Sequence, residues 1–180
     1  YAGPESMRTA MMKSHNTSTA QALYNYVGID NSVYYLKQLG VSESHINADG
    51  AGLALGTSGI TPVEMAAAFG AIGNKGEYVS PVAFTRVLNT DGSVFLESST
   101  YQERRQAFKE STAWLLVDVL KQCASSSGTG NRAQFGDITV AGKTGTNSDY
   151  KGVFLAGLTP YYSGAVWIGQ DGFKALKSDS

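Results

Sequence analysis

The sequence predicts an α+β fold in which helical segments precede a small antiparallel sheet. Two observations lead to this prediction. Apolar residues recur at helical spacing through most of residues 4–73, whereas residues 138–168 form three short apolar runs separated by turns. Helices followed by neighbouring strands are typical of an α+β arrangement. The 180 residues fit one domain or most of one, and an apolar content of 42% is sufficient for a core.

The N-terminal half is predicted to be mainly helical. Residues 4–40 indicate three short helices, the first from Pro4 to Lys13, and residues 41–59 indicate a glycine-containing loop. Thr61-Pro62-Val63-Glu64 combines a capping box with a proline at the first helical position. This segment predicts a helix that ends near Asn74.

The middle of the chain mixes strands with one more helix. Tyr78 to Leu88 is strand-like, and Val94 to Leu96 returns after the turn Asn89-Thr90-Asp91-Gly92, which predicts a hairpin. Tyr101 to Lys109 is polar and is expected to be exposed. Ser111 is a suitable N-cap for the helix that follows.

The C-terminal part is predicted to be all strand. The strands are Ile138 to Gly145, Val153 to Leu158 and Ser163 to Ile168. Their connections are short, and short connections favour antiparallel neighbours. The sheet therefore has three antiparallel strands, which leaves a sheet edge uncovered.

Composition excludes several classes of function. Fourteen basic residues face fifteen acidic ones without a long run of either sign, which argues against nucleic-acid binding. No segment approaches the roughly 20 apolar residues of a membrane span. The single Cys123 excludes an internal disulfide, and His15 and His45 lack ligand-like spacing to carboxylates, so we expect neither a metal nor another cofactor.

The strand around Lys143 carries the most informative local chemistry. Gly142 and Gly145 leave room for a backbone or a ligand, and between and beside them lie one ammonium and the hydroxyls of Thr144 and Thr146. Such a strand edge suits a small anion such as a carboxylate.

Two nucleotide-binding interpretations of this region fail. A phosphate loop ending in Gly142-Lys143-Thr144 needs a glycine where Asp137 stands, and its lysine should open a helix rather than end a strand. Gly128-Thr129-Gly130 follows a predicted helix and precedes none, which is the wrong context for a dinucleotide fingerprint.

A second motif lies near the start of the chain. Ser14-His15-Asn16 followed far downstream by Lys143-Thr144-Gly145 resembles the S-x-N and K-T-G motifs of the serine penicillin-recognising enzymes, which include penicillin-binding proteins and serine β-lactamases. The segments 53–66 and 74–81 are similar to what the transpeptidases of this family carry between the two motifs, and 128–133 is similar to their loop before the K-T-G strand. The segments 143–151 and 165–169 resemble the class A, bifunctional branch of penicillin-binding proteins in particular.

The resemblance implies a peptidoglycan D,D-transpeptidase, in which a serine attacks D-Ala-D-Ala stem peptides and a neighbouring amine takes the acyl group. β-Lactams mimic the dipeptide. Ser14 would pass a proton to the leaving nitrogen, Asn16 would hold the substrate backbone, and Lys143 would stabilise negative charge. Thr144, Gly145 and Thr146 would form the substrate-binding edge, with the backbone N–H of Thr146 as an oxyanion donor.

The nucleophile of this family is absent from the chain. Its serine belongs to an S-x-x-K motif before S-x-N, and residues 1–13 contain none. The literal match Ser148-Asp149-Tyr150-Lys151 follows K-T-G and is interpreted as a turn. We therefore expect residues 1–172 to be a partial transpeptidase domain, residues 173–180 to be a tail, and the fragment to be inactive alone.

Further expectations follow from the resemblance. The partners would be stem peptides, β-lactams and an upstream segment carrying S-x-x-K, and the location would be the outer face of the bacterial plasma membrane, with the anchor outside this chain. An alternative function is a non-catalytic module that binds β-lactams or muropeptides, such as a sensor. The two differ in whether the whole protein supplies the S-x-x-K serine.

Overall fold

The computed structural model describes residues 3–176, and these residues form the predicted mixture of helices and small antiparallel sheets. The α-helices are α1 (Met7–Lys13), α2 (Asn16–Ala22), α3 (Ile29–Gln38), α4 (Gly50–Leu55), α5 (Pro62–Gly73) and α6 (Glu110–Cys123). A π-helical segment, Leu23–Val27, continues α2. The strands are β1 (Glu77–Val79), β2 (Arg86–Leu88), β3 (Val94–Glu97), β4 (Arg104–Gln106), β5 (Ala141–Thr146), β6 (Gly152–Leu158) and β7 (Ser163–Gly169).

The main sheet is antiparallel, with the order β5-β6-β7. Lys143 pairs with Ala156, and Leu155 pairs with Val166. Helices α5 and α6 pack against this sheet. Since β5 and β7 are its outer strands, the K-T-G residues lie at one edge and Val166 to Ile168 at the other.

The core that positions the site lies between α1, α5, α6 and the first two strands of this sheet. Leu120, Ala141 and Leu158 are buried at its centre. Around them pack the partly buried side chains of Met11, Phe69, Ile72 and Val117. Burial of aliphatic and aromatic side chains is the main favourable term in folding, so this cluster links α1, through α6, to the K-T-G strand.

A second core lies beside the first. Tyr78 of β1 is buried with Ala71 and Ala107, and the guanidinium of Arg105 lies 4.4 Å from the centre of the Tyr78 ring. Gly40 has a φ of +85°, and a Cβ there would lie 2.2 Å from the same ring. Both the backbone conformation and the close approach therefore require glycine at position 40.

Several local predictions are confirmed. Thr61 accepts a hydrogen bond from the Glu64 N–H while the Glu64 carboxylate accepts one from the Thr61 N–H, which completes the capping box of α5. Strands β2 and β3 form the predicted hairpin, but the predicted strand from Tyr78 to Leu88 is divided in two, since β1 ends at Val79 and pairs with β4 instead. The three C-terminal strands occur in the predicted antiparallel order.

Other boundaries were wrong for identifiable reasons. Helix α1 begins at Met7 rather than at Pro4, because Ser6 is its N-cap and accepts a hydrogen bond from the Thr9 N–H. The region 41–59 contains α4, and β4 lies within the segment 101–109 because its backbone pairs with β1. Lys109, not Ser111, is the N-cap of α6.

The predicted division at residue 172 stays a prediction. Part of the predicted tail, residues 177–180, and the first two residues of the predicted domain lie outside the described residues. Within the described part of the tail, the Leu176 N–H donates to the Tyr150 carbonyl at 2.9 Å.

Candidate active site

Ser14 lies in the turn between α1 and α2, where it ends the first helix. Its φ of 58° and ψ of 45° place it in the left-handed region, which a residue other than glycine occupies at an energetic cost. Its N–H points to the carbonyls of Ala10 and Met11, as in a helix C-cap. The turn therefore holds the serine side chain in a fixed and exposed position.

Lys143 reaches this serine from β5. Its Nζ donates to Ser14 Oγ at 3.0 Å, although the two residues are 129 positions apart, and to the Thr144 carbonyl at 2.8 Å. Burial lowers the pKa of the ammonium, while the nearby Cys123 acts in the opposite direction. A desolvated ammonium beside a hydroxyl can both polarise that hydroxyl and attract an anion.

The Cys123 thiol is part of the floor behind this lysine. It is fully buried, and burial raises its pKa. Helix α6, which carries it, packs against β5. Cys123 is thus a small core residue, which agrees with the sequence interpretation.

Thr144 has a hydroxyl partner that the sequence did not reveal. Its Oγ1 donates to Thr129 Oγ1 at 2.8 Å. We refer to Ser14, Lys143, Thr144 and Thr129 as the polar cluster. It joins the α1–α2 turn, β5 and the 125–131 loop.

The 125–131 loop is fixed from two sides. The Gly130 N–H donates to the Cys123 carbonyl at 2.9 Å, and Lys13 Nζ donates to the Ser127 carbonyl at 2.8 Å. A Cβ on Gly128 would lie 2.1 Å from the Cys123 carbonyl oxygen, so a side chain there cannot be accommodated without a backbone shift. The Gly-Thr-Gly pattern was the available signal for this loop, but spacing alone could not pair Thr129 with Thr144.

The two glycines that flank Lys143 have different surroundings. Gly142 faces Gly157 across the sheet, and a Cβ on Gly142 would lie 2.9 Å from the Ala156 carbonyl oxygen. Gly145 is exposed, and a Cβ there would meet only Phe154 Cβ, at an ordinary 3.5 Å. Gly142 therefore serves the packing of β6, whereas Gly145 leaves the edge of the sheet open.

Asn16 and Thr146, the other two side chains predicted for the site, lie at the ends of two different elements. Asn16 is the first residue of α2, and Thr146 is the last residue of β5; both are exposed. Within residues 3–176, no hydrogen bond joins either side chain to Ser14 or Lys143. The structure thus brings Ser14, Lys143 and Thr144 into contact, whereas Asn16 and Thr146 are related to them only by their positions in α2 and β5.

Ser148, the serine of the literal S-x-x-K match, lies in a turn at one end of the main sheet. Ser148 to Tyr150 form a short turn that connects β5 to β6, and Ser148 is exposed. Asp149 and Tyr150 have positive φ values, which are typical of a tight turn. The interpretation of this segment as a turn is confirmed.

Metal-binding clusters and membrane-spanning helices are both absent from the described residues. Residues 3–176 contain no group of three or more His, Cys, Asp or Glu side chains that could hold a metal ion. No helix in that range has the length and apolar character needed to cross a membrane.

Comparisons with known proteins identify the family of the chain. The family described as "Transpeptidase: Penicillin binding protein transpeptidase domain" matches residues 1–169. "Penicillin-binding protein 1A" of Clostridium botulinum is 39% identical over 174 residues, which cover 95% of this chain and 21% of that protein. The chain therefore spans about a fifth of the length of this relative.

Solved structures show the same fold. The crystal structure of penicillin-binding protein 1A from Haemophilus influenzae superposes with a TM-score of 0.84 at 22% identity, covering 100% of this chain and 32% of that one. The PonA1 protein from Mycobacterium tuberculosis, solved in complex with penicillin V, gives a TM-score of 0.75 at 23% identity, covering 94% of this chain and 49% of that one.

The chain belongs to the penicillin-binding protein transpeptidase domain family, a family of serine acyl-transfer enzymes. Its similarity to penicillin-binding protein 1A confirms the resemblance to the class A branch that the motifs indicated.

Proposed function

We propose that this chain forms the S-x-N and K-T-G part of a peptidoglycan D,D-transpeptidase. The whole enzyme would transfer the acyl group of a D-Ala-D-Ala stem peptide, first to its serine with release of D-alanine and then to the amine of a neighbouring stem peptide. The observation that supports this most is the 3.0 Å contact between Lys143 Nζ and Ser14 Oγ, at an open strand edge. That contact joins two motifs from opposite ends of the chain.

Ser14 and Lys143 would move the proton of the reaction. Ser14 would donate its hydroxyl proton to the departing nitrogen and recover one through Lys143, whose ammonium also stabilises the negative charge that develops. Asn16 would hold the amide backbone of the stem peptide. The lowered pKa of Lys143, caused by burial, makes it a better proton-transfer group near neutral pH than an exposed lysine.

The edge of β5 would bind the substrate. The hydroxyls of Thr144 and Thr146 would hold the terminal carboxylate of the stem peptide or of a β-lactam, and the open position at Gly145 would let the ligand approach the backbone. Thr129 would fix the rotamer of Thr144, since the two hydroxyls already share a hydrogen bond. The Thr146 N–H would contribute one oxyanion donor, worth roughly 3 kcal/mol of barrier.

The attacking serine would come from a segment of the whole protein outside residues 1–180, and the chain would be inactive by itself. The only literal S-x-x-K lies in the turn after β5. Strand β7, the outer strand opposite the site, also exposes Val166, Trp167 and Ile168. This apolar edge suits pairing with the upstream segment, and the complete protein would act at the outer face of the bacterial plasma membrane, held by an anchor outside this chain.

Covalent labelling with a fluorescent penicillin tests this function. We expect no stable label on the chain alone and a label on the upstream segment when the two are produced together. Stable labelling of the isolated chain at Ser14 or Ser148 would contradict these roles. Reversible binding without labelling in the full-length protein would instead favour the non-catalytic β-lactam- or muropeptide-binding module.

A further inference from the structure

Both histidines of this chain are paired with a glutamate in nearly the same way. His15 Nδ1 lies 2.9 Å from both carboxylate oxygens of Glu5, and His45 Nδ1 lies 2.9 Å from both oxygens of Glu64. The exposed fractions of the two pairs are also similar, at 41% and 17% for the first and 38% and 15% for the second. The pairs differ in what they connect.

The first pair surrounds the turn that carries Ser14. Glu5 precedes α1, and its carboxylate accepts hydrogen bonds from His15 and from the hydroxyl of Ser18 in the first turn of α2. One carboxylate therefore ties the entrance of α1 to the beginning of α2, across the turn between them. The Ser18 and His15 hydrogen bonds lower the pKa of Glu5, in that order, which agrees with a carboxylate that is held as an anion.

The side chain of His15 does not cap the helix that follows it. It is the N-cap of α2 but makes no side-chain capping hydrogen bond. Its backbone N–H donates to the Ala10 carbonyl at 2.9 Å, and its carbonyl accepts from the Thr19 N–H at 3.2 Å. With its backbone engaged in both helices, its imidazole is directed to Glu5.

The turn needs such support because of the conformation of Ser14. A serine with a φ of 58° is retained where its neighbours hold it, and in this conformation the Ser14 hydroxyl accepts from Lys143 Nζ at 3.0 Å. The second pair has no comparable role, since Glu64 lies in α5 and binds Ser42, Thr61 and His45 around the 41–59 loop.

We propose that Glu5, His15 and Ser18 form a carboxylate clamp that positions Ser14 and Asn16 for acyl transfer. His15, the middle residue of the S-x-N motif, is a positioning residue that acts through Ser14 and does not touch the substrate. This inference rests on the proposed function of the same site. The clamp raises the acylation rate by holding the serine where Lys143 reaches it, and it contributes little to the affinity for the ligand.

The test compares three variants of the full-length protein: His15→Leu, His15→Asn and the matched control His45→Leu. Stopped-flow acylation by a chromogenic penicillin separates the affinity of the first complex from the rate of acylation. We expect His15→Leu to slow acylation about tenfold with an affinity within about twofold, because a small displacement of a catalytic group is costly. His15→Asn, whose amide can donate to Glu5 from the position of Nδ1, should recover most of the rate.

The control separates positioning from general stability. His45→Leu should lower Tm about as much as His15→Leu and leave the acylation rate unchanged. Equal acylation rates in the two leucine variants, or no recovery in His15→Asn, would overturn the clamp while leaving the proposed function intact. A wild-type protein that is never acylated would overturn the proposed function itself.

A second measurement does not depend on acylation. Hydrogen exchange of the peptide that contains Ser14, whose N–H bonds to Met11, reports directly on the order of the turn. We expect roughly tenfold faster exchange in His15→Leu and no change there in His45→Leu, as local opening is a local equilibrium. Unchanged exchange in both variants would refute the clamp even without an active enzyme.

Discussion

The two edge strands of the main sheet, β5 and β7, differ in the contacts that their side chains make. At β5, the polar cluster and the Lys13–Ser127 hydrogen bond connect three segments: the end of α1 with the turn after it, the 125–131 loop and β5 itself. At β7, and on the β2–β3 hairpin, large apolar side chains face solvent, including Phe95 at 63% exposure. The first region is organised by contacts within this chain, whereas the second presents surface that these contacts do not use.

This contrast has a physical cause in the kind of interaction on each side. Hydrogen bonds between charged or hydroxyl groups fix direction as well as distance, so they can hold a catalytic geometry before a ligand arrives. Apolar surface has no such directionality. The polar cluster is therefore the part of the chain that we propose as the site, whereas the exposed apolar side chains of β7 carry no such arrangement.

The largest expected effect is the loss of Lys143. Lys143→Met should reduce acylation of the full-length protein by roughly 10²- to 10³-fold, the range for removing one preorganised electrostatic group. Lys13→Met, which removes only the bond to the 125–131 loop, is the control and should cost far less. Similar rates for the two variants, measured by penicillin labelling, would show that the Ser14 contact has no special role.

Replacement of Gly128 should have the next largest effect. Gly128→Ala places a methyl group 2.1 Å from the Cys123 carbonyl oxygen, which should lower the free energy of unfolding by about 2–3 kcal/mol, as overpacking does. The control is Gly59→Ala, where a Cβ has nothing within 4 Å. Denaturant unfolding of both variants checks this, and an equal loss would show that the loop is not held as tightly as the structure indicates.

Glu64→Gln tests a polar network away from the site, and its effect should depend on pH. Burial by itself raises the pKa of Glu64, but hydrogen bonds from Ser42, Thr61 and His45 outweigh it and hold the pKa at about 2, below its usual 4.5. Because the pKa is depressed, the stabilisation is complete above pH 4.5 and is lost as the pH falls toward 2.

Glu64→Gln should accordingly cost about 2–3 kcal/mol at pH 7 and progressively less in acid. Thermal unfolding at several pH values measures this difference. A cost that does not change between pH 7 and pH 3 would rule out the ionised carboxylate as its source.

The pH profile of acylation tests whether the charged form of Lys143 is needed for the reaction. Burial lowers its pKa, so the ammonium should lose its proton at a pH below that of an ordinary lysine, and acylation should decline there. In Lys143→Arg, the residual activity should not decline in that range because arginine keeps its charge. An identical alkaline decline in both proteins would assign the titration to another group.

The smallest effect is expected on the exposed hairpin. Phe95→Ser should change the free energy of unfolding by less than about 0.5 kcal/mol, as is usual for exposed positions. Ala141→Ser, within the buried core beneath the polar cluster, is the contrasting variant and should cost more. A large loss for Phe95→Ser in the full-length protein would show that another segment covers the hairpin.

Local patterns predicted the elements that depend on neighbours in sequence. The Thr61–Glu64 capping box, the hairpin turn and the three C-terminal strands follow from spacing and turn residues, and all are present. The error at β4 occurred where distant backbone decided the outcome. The segment that contains β4 was predicted only to be polar and exposed, because the partner strand that makes it a strand, β1, lies far away in sequence.

The family, the α+β class and the residues that could carry chemistry were all predictable from the sequence alone, because motif order and residue type can be read without knowing the fold. Only the tertiary structure decided which of these residues touch. It joined Ser14 to Lys143, gave Thr144 its partner Thr129, and separated Gly142, which β6 requires, from Gly145, which stays open. It also revealed Glu5 and Ser18 on either side of the serine turn. These contacts depend on how α1, α6 and β5 pack around one core, and packing is a property of the whole chain rather than of any local pattern.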